Sequence, residues 1–234
     1  MKNFNLEPAH ADYHDLVNSL EAFALLSKKE KAKLVSGITL MTYERQDVLF
    51  MQSMPSDHVV FIVSGLIKVY SGGRASRIIC IKLAGPGSFA ALSSAFSLDV
   101  YRHSAAAVEQ TVALMIRKET LRDIMSLNGR FSMMIINLMG REIIDLSNKL
   151  VTFSIKQLPG KVADLLRHFS EDVFASNEFR ISLTRQEMAE LIGTTKESLI
   201  RTLNEFKNDK IIDLDGKNIK ILSPDLVKVL SEIG

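Results

Sequence analysis

Apolar positions recur along this chain with more than one period, and each period predicts a different kind of element. From about Ile38 to Ile116, short runs alternate between apolar and polar, as in His58-Val59-Val60-Phe61-Ile62-Val63, Leu66-Ile67-Lys68-Val69-Tyr70 and Arg77-Ile78-Ile79-Cys80-Ile81-Lys82-Leu83. Turn signals at Met54-Pro55-Ser56-Asp57, Ser64-Gly65, Gly72-Gly73 and Gly85-Pro86-Gly87 separate the runs. Many short strands at this pitch predict an antiparallel barrel or jelly roll. Ahead of them, Asp12 to Phe23 and Ser27 to Val35 have helical spacing, the second opened by a Ser27-to-Glu30 capping box.

Further on, Ile136, Met139, Ile143, Leu146, Leu150 and Phe153 follow alternating intervals of three and four, a heptad seam. A helix from about Arg130 to Ser154 would also carry Met134, Ile135, Leu138 and Ile144 on a second apolar face. One face is expected to lie on the chain's own barrel and the other against a symmetry mate. Pro159-Gly160 interrupts the helical pattern and predicts a hinge at Ile155 to Gly160, before Lys161 to Phe169 resumes it.

Residues 183 to 206 predict two short helices about a glycine turn. Thr184 and Glu187 form a capping box, Met188, Leu191 and Ile192 share one face, and Ala189 lets a crossing helix come close. Gly193 ends the first helix; Thr194 or Thr195 caps the next, with Glu197 placed to complete a second box. Leu199, Leu203 and Phe206 then face inward, and Glu197, Arg201 and Asn204 outward. Ile211 to Leu214 and Ile219 to Leu222 read as two strands about Asp215-Gly216-Lys217-Asn218, a wing. Ser223-Pro224-Asp225 starts a closing helix through Leu226, Val229 and Leu230.

The outward set suits a DNA major groove. An arginine fork donates to guanine O6 and N7, and a carboxylate accepts from cytosine N4. Lys196 and Ser198, near the helix start, reach a base edge or a phosphate. On an arbitrary helix such an Arg and Glu would be a solvated i,i+4 pair. Here the capped first helix, the Gly193 turn and the wing favour the DNA reading.

Composition sets outer limits. At 234 residues, 47% hydrophobic and 24% charged, the chain is long enough for two ordinary globular domains. The single cysteine, Cys80, excludes an internal disulfide and an iron–sulfur cluster held by this chain's own thiolates. The opening Met1-Lys2-Asn3-Phe4-Asn5 lacks the apolar run of a signal peptide, and no segment has the apolar length of a membrane span, so a cytoplasmic protein without membrane partners is expected. Residues 155 to 234 hold 12 lysines and arginines against 13 carboxylates, so a DNA-binding role requires the acidic groups to lie away from the reading face. There is no phosphate-cradling glycine loop, no cluster of metal ligands and no nucleophile elbow; no catalytic or metal-binding residue is assigned, and an enzyme is not expected.

Thr184-Arg185-Gln186-Glu187, Gly193, and Glu197-Ser198 followed by Arg201 resemble the DNA-binding domain of the CRP/FNR family of bacterial transcription regulators. Val48-Leu49-Phe50, Phe61-Ile62-Val63-Ser64-Gly65 and Gly85-Pro86-Gly87-Ser88-Phe89 resemble the cyclic-nucleotide-binding barrel of the same family. The resemblance implies an α+β chain. An N-terminal antiparallel β-barrel or jelly roll would sense an effector (1–128), a long helix would dimerise (129–154), and a C-terminal winged helix-turn-helix would bind DNA (155–234). It implies a homodimer, joined through Ile136, Met139, Ile143, Leu146, Leu150 and Phe153, on a two-fold symmetric double-stranded DNA operator, with RNA polymerase as a further partner. Lys196, Glu197, Ser198 and Arg201 would read bases; Thr184, Arg185, Gln186 and Thr195 would hold phosphates. Lys196 departs from the pattern, since the cyclic-AMP receptor branch usually has arginine there and the FNR branch a small apolar residue.

The sensor half departs further. The family's cassette has a Gly-Glu pair after the phenylalanine and an Arg-Ser pair downstream, where this chain has Phe89-Ala90-Ala91-Leu92-Ser93-Ser94 and Tyr101-Arg102-His103-Ser104. Leu92, at the glutamate's place, cannot accept a ribose hydroxyl, which argues against cyclic AMP. Arg102, His103 and Ser104 stand as the effector-binding candidates. His58, His103, Cys80 and several methionines are conceivable haem ligands but form no motif. A regulator without any small ligand stays open, as does a sensing module that regulates a partner protein; the outward Lys196, Glu197 and Arg201 separate the last reading from a DNA reader. The effector, the operator, the regulated genes and the direction of control are not read from the sequence.

Overall fold

The computed structural model describes residues 10–72, 78–97 and 99–234. The Met1-to-Asn5 opening, Gly73 of the predicted glycine turn and Arg77 lie outside the described residues.

The first helix, α1, spans His10–Ser19. It stops short of the predicted Phe23 because Leu20 is extended (φ −89°, ψ 118°), and a separate 3₁₀ turn at Glu21–Phe23 follows. Helix α2, Lys28–Ser36, opens on the expected box: Ser27 Oγ accepts from Glu30 N–H while the Glu30 carboxylate accepts from Ser27 N–H. Eight strands come next, interrupted once by a short helix. They are β1 Ile38–Tyr43, β2 Val48–Phe50, β3 His58–Ser64, β4 Ile67–Gly72, β5 Ile78–Ala84, β6 Phe89–Ala90, β7 Ser104–Ala107 and β8 Thr111–Arg117, with α3, Leu92–Ser97, between β6 and β7. They form two four-stranded sheets, ordered β1-β8-β3-β6 and β2-β7-β4-β5, the crossed-over arrangement of a jelly roll. Registers such as Ile38↔Ile116 and Val59↔Ile116 set β8 between β1 and β3.

Helix α4 spans Lys118–Leu127 and α5 Gly129–Ile155. A core joins the first sheet to the helices. Val59, Phe61, Leu114 and Ile116 pack with Phe23, Leu34, Leu121, Ile124, Phe131 and Ile135. Phe61 lies 5.1 Å from Phe23 and 4.9 Å from Phe89, ring centre to ring centre. Fully buried side chains such as Phe131 and Ile135 each contribute about 1.5–3 kcal/mol of hydrophobic stabilisation, which anchors the start of α5.

The remaining elements are α6 Leu158–His168, running into a π turn at Phe169–Val173, then β9 Glu178–Arg180, α7 Arg185–Leu191, α8 Lys196–Asn208, β10 Ile212–Asp215, β11 Asn218–Ile221 and α9 Pro224–Ile233. Two expectations are corrected here. Pro159-Gly160 does not break the chain before a helix at Lys161; Pro159 sits in the first turn of α6, where its missing N–H has no helical partner to lose. Helix α9 buries Val227 and Ser231, while Leu226 and Val229 are exposed. Its inward face is selected by α6. Ser231 Oγ donates to Asp164 Oδ1 at 2.6 Å, and the Gly160 and Gly234 backbones meet so closely that a Cβ on Gly160 would lie 2.6 Å from the Gly234 carbonyl carbon.

The described residues fall into two compact units, one drawn from Met1–Ser71 and Lys82–Ile143, the other from Gly72–Ile81 and Ile144–Gly234. Among the described residues no helix is long and apolar enough to cross a membrane.

Candidate nucleic-acid interface

Helix α7 begins on the predicted box. Thr184 Oγ1 accepts from Glu187 N–H at 3.2 Å, and Glu187 Oε2 accepts from Thr184 N–H at 2.7 Å. Met188, Ala189 and Ile192 turn inward. The chain then reverses at Gly193, whose φ of +67° is the left-handed conformation that costs any other L-residue. Helix α8 is capped by Thr195, whose Oγ1 accepts from Ser198 N–H at 3.2 Å. The second box expected through Glu197 is therefore corrected: capping at Thr195 puts Ser198, not Glu197, at the third helical position.

The cap sets the helix phase. Leu199, Leu203 and Phe206 are buried, and Lys196, Glu197, Arg201 and Asn204 are exposed. Arg201 does not pair with Glu197. Its Nε lies 4.0 Å from Glu205 Oε1, a loose surface contact, and its side chain is 72% exposed. Such a pair contributes about 0.5 kcal/mol or less and leaves the guanidinium available. Ser198 is half-buried, its hydroxyl accepting from Thr195 Oγ1 at 3.0 Å, so Thr195 and Ser198 complete each other at the helix start. With Ser198 N–H taken by the Thr195 cap, the remaining donors of the first α8 turn have no partner within the helix, as at any helix N-terminus.

The predicted phosphate contacts have distinct surroundings. Thr184 and Gln186 are exposed, and Gln186 Nε2 donates to Glu190 Oε1 at 3.1 Å. Arg185 is half-buried: its Nη2 donates to the Gly216 carbonyl at 2.9 Å and its Nη1 to Met188 Sδ at 3.3 Å, and burial holds its pKa below the usual arginine value. Arg185 thus ties α7 to the tip of the wing. Lys207 Nζ likewise donates to Leu214 O at 2.7 Å and pairs with Asp213, and Lys217 Nζ donates to Ser182 O at 3.0 Å. The wing itself has three strands rather than the expected two, since β9 pairs with β11 in the register Ile219↔Phe179. The outward-inward alternation of Glu178, Phe179, Arg180 and Ile181 was the available signal for β9. Glu187 and Glu190 are buried, so two carboxylates of this nearly neutral region are withdrawn from the surface beside α8.

Along α5, Ile136, Ile143, Leu146 and Leu150 are 46–68% exposed in the single chain, an apolar stripe that the described residues leave largely in solvent. The other two seam residues differ. Met139 packs on the jelly-roll core. Phe153 lies against the helix-turn-helix, with Cε2 of its ring 3.3 Å from where a Gly193 Cβ would stand. The ammonium groups of Lys149 and Lys161 sit 5.5 and 5.6 Å from its ring centre, within cation–π range. Lys149 also donates to the Cys80 and Ile81 carbonyls at 2.7 and 3.2 Å.

In the jelly-roll half, Leu92 is 2% exposed, so the cassette glutamate's place is filled by buried hydrocarbon. Ser104 is buried and its hydroxyl accepts from Gln52 N–H at 2.9 Å. Arg102 has an exposed side chain and donates its backbone N–H to Ser94 Oγ at 3.3 Å. His103 Nδ1 is shut off from solvent without a hydrogen-bond partner among the described residues. Burial first, then the charges of Arg102 and Lys82, hold the His103 pKa below the usual histidine value. Lys82, absent from the sequence-based site, donates to the Phe89 carbonyl at 3.1 Å and to the Glu142 carboxylate on α5. A lysine inside the apolar run of β5 was the one hint in the sequence. Among the described residues no three His, Cys, Asp or Glu side chains gather as a metal site.

A jelly-roll half followed by a winged helix-turn-helix with an exposed polar face on α8 is the architecture of a two-part chain with a helix-turn-helix domain at its C-terminal end. Two family models match: the cyclic nucleotide-binding domain over residues 40–128 and the Crp-like helix-turn-helix domain over residues 160–228. The chain belongs to the CRP/FNR family of transcription regulators. It is 24% identical over 195 residues to a CRP-like cAMP-activated global transcriptional regulator of Mycobacterium tuberculosis, covering 81% of this chain and 87% of that one. It is 26% identical over 183 residues to the transcriptional activator protein anr of Pseudomonas aeruginosa, covering 76% and 75%. Among solved structures, FixK2 from Bradyrhizobium japonicum superposes with a TM-score of 0.75 at 16% identity, covering 82% of this chain and 96% of that one. A putative regulator of the same family from Eubacterium rectale gives 0.76 at 18%, covering 92% and 99%.

Proposed function

We propose that this protein is a homodimeric, sequence-specific regulator whose two α8 helices read a two-fold symmetric operator. The single observation that carries this is the exposed Lys196, Glu197 and Arg201 on a helix whose cap and core are otherwise satisfied. Lys196, Glu197, Ser198 and Arg201 meet base edges. Thr184, Gln186, Thr195 and the half-buried Arg185 meet phosphates. Pairing through the exposed stripe of Ile136, Ile143, Leu146 and Leu150, with Met139 and Phe153 at its margins, buries apolar surface that one chain leaves in water. Two such heads roughly 34 Å apart enter successive major grooves on one side of the duplex.

Residues 1–128 then act as sensor, 129–154 as dimer helix and 155–234 as DNA reader. RNA polymerase is the expected partner on the operator, and the cytoplasm the place of action. A small effector at the sensor modulates binding by favouring one arrangement of the dimer over another. The Mycobacterium tuberculosis relative is cAMP-activated. Cyclic AMP is not proposed here, because buried Leu92 gives a ribose hydroxyl no acceptor.

The test is operator selection from a random pool, followed by binding of wild type and Arg201→Ala. Losing a bidentate base contact should weaken binding by about 1–3 kcal/mol and relax preference at one base position. An Arg201→Ala protein with unchanged affinity and unchanged base preference refutes the assignment.

A further inference from the structure

One position on α8 runs against the inside-outside rule that the rest of the helix obeys. The buried side chains of α8 are Leu199, Thr202, Leu203 and Phe206, and every exposed one is polar. Thr202 is 2% exposed, while Ile200 stands only half-buried. Core packing alone would turn the isoleucine inward and the hydroxyl outward, since hydrocarbon gains by leaving water and a hydroxyl does not. Ile200 lies one turn after Lys196 and Glu197 and one turn before Asn204, all three exposed, so its neighbours on the helix surface belong to the outward polar set. It directly precedes Arg201, whose side chain is 72% exposed. Its place is therefore inside the stretch from Lys196 to Arg201, at the N-terminal part of the helix, from which side chains reach base edges. A β-branched side chain is stiff in a helix, so Ile200 presents its methyl groups in a fixed direction.

We propose that Ile200 is a specificity-determining residue that packs on the 5-methyl group of a thymine in each operator half-site, beside the base pair met by Glu197. This rests on the reading of α8 as the recognition helix and adds to it a base and the group by which that base is recognised. Thymine alone among the bases of DNA offers an apolar group in the major groove; the other edges there are donors and acceptors. An isoleucine pressed on those would strip water from polar groups and give them no partner. Lys196, Glu197 and Arg201 discriminate through hydrogen bonds, whereas Ile200 discriminates by shape and by excluding water. It disfavours cytosine, which carries an amino donor and no methyl.

The experiment uses the full chain and the operator selected from a random pool. Each half-site thymine is replaced in turn by deoxyuridine, symmetrically in both half-sites, which removes the methyl and keeps every hydrogen-bonding atom. At one thymine position wild type should lose about fourfold in affinity per half-site, the share of one buried methyl, and about 15-fold over the two. Ile200→Ala should bind the thymine operator more weakly than wild type does, and should bind the thymine and deoxyuridine operators alike, which closes a double-mutant cycle. Both operators are compared with one protein, so a reduced folded fraction cancels. Should Ile200→Ala not fold, Ile200→Gln, a strong helix former, is expected to lose the thymine preference in the same way. The proposal is overturned if no thymine methyl matters to wild type, or if the Ile200 variants keep the wild-type sensitivity to deoxyuridine. Deoxyuridine without effect while Arg201→Ala still weakens binding means that Ile200 alone is misassigned; Arg201→Ala binding as wild type does means that the recognition helix itself is.

Discussion

Replacing Gly193 by alanine tests the joint that holds the helix-turn-helix together. Gly193 has φ +67°, where an L-residue pays roughly 1–2 kcal/mol for its Cβ. The new methyl would also stand 3.3, 3.5 and 3.6 Å from Cε2, Cζ and Cδ2 of Phe153. That ring cannot yield freely, because Lys149 and Lys161 flank it and Lys161 Nζ donates to the Phe153 carbonyl at 3.0 Å. Crowding of this kind adds about 1 kcal/mol, at the low end of overpacking costs. Gly193→Ala should therefore destabilise the helix-turn-helix by about 2–3 kcal/mol. In a Phe153→Ala background the crowding vanishes and the same change should cost only the backbone share, leaving about 1 kcal/mol of coupling in a double-mutant cycle. The assay must be local, since the chain has no tryptophan and all four tyrosines lie at or before Tyr101. Hydrogen exchange at the buried Leu199 and Leu203 amides reads the opening free energy of α8 directly. An equal cost in both backgrounds would refute the ring contact; a cost below about 0.5 kcal/mol would refute the strain at this turn as well.

Other expectations concern pairing and pH. Glutamate at both Ile143 and Leu150 places charge in the proposed seam, so sedimentation should show a dimer for wild type and a monomer for the double variant; an unchanged dimer would move the interface elsewhere. Burial holds the Lys149 pKa below the ordinary lysine value of about 10.4, so between the two values the unfolded chain keeps a proton that the folded chain releases. The cost of that buried charge is fully present below the lowered folded pKa and disappears as pH rises towards the unfolded one. Denaturation of wild type and Lys149→Met across about pH 7 to 10 should show wild type gaining stability relative to the variant as pH rises. Parallel curves would mean that Lys149 is not titrating from a buried state.

Much of the helix-turn-helix was legible because its determinants are local. A capping box spans four residues, a left-handed glycine one, and a helical face repeats within two turns, so Ser27 with Glu30, Thr184 with Glu187, and Gly193 needed no tertiary partner. The inward and outward sets of α8 followed from the same phase. Local rules left a choice where two neighbours were equally able, as with Thr194 and Thr195, and the structure took Thr195.

The sequence by itself determined the periods, the caps and the turns, and through them an antiparallel sheet half, a long two-faced helix and a winged helix-turn-helix. Contacts between distant segments decided the rest. The three-residue strand β9 exists through its pairing with β11, the buried face of α9 through its packing on α6, and the role of Arg185 through a wing carbonyl 31 positions away. Lys82 and Glu142, 60 positions apart, could not be matched from either neighbourhood alone. The physical reason is that hydrogen-bonding geometry along the backbone is encoded over a few residues. The partner of a long charged side chain depends instead on which surfaces the whole fold brings within its reach.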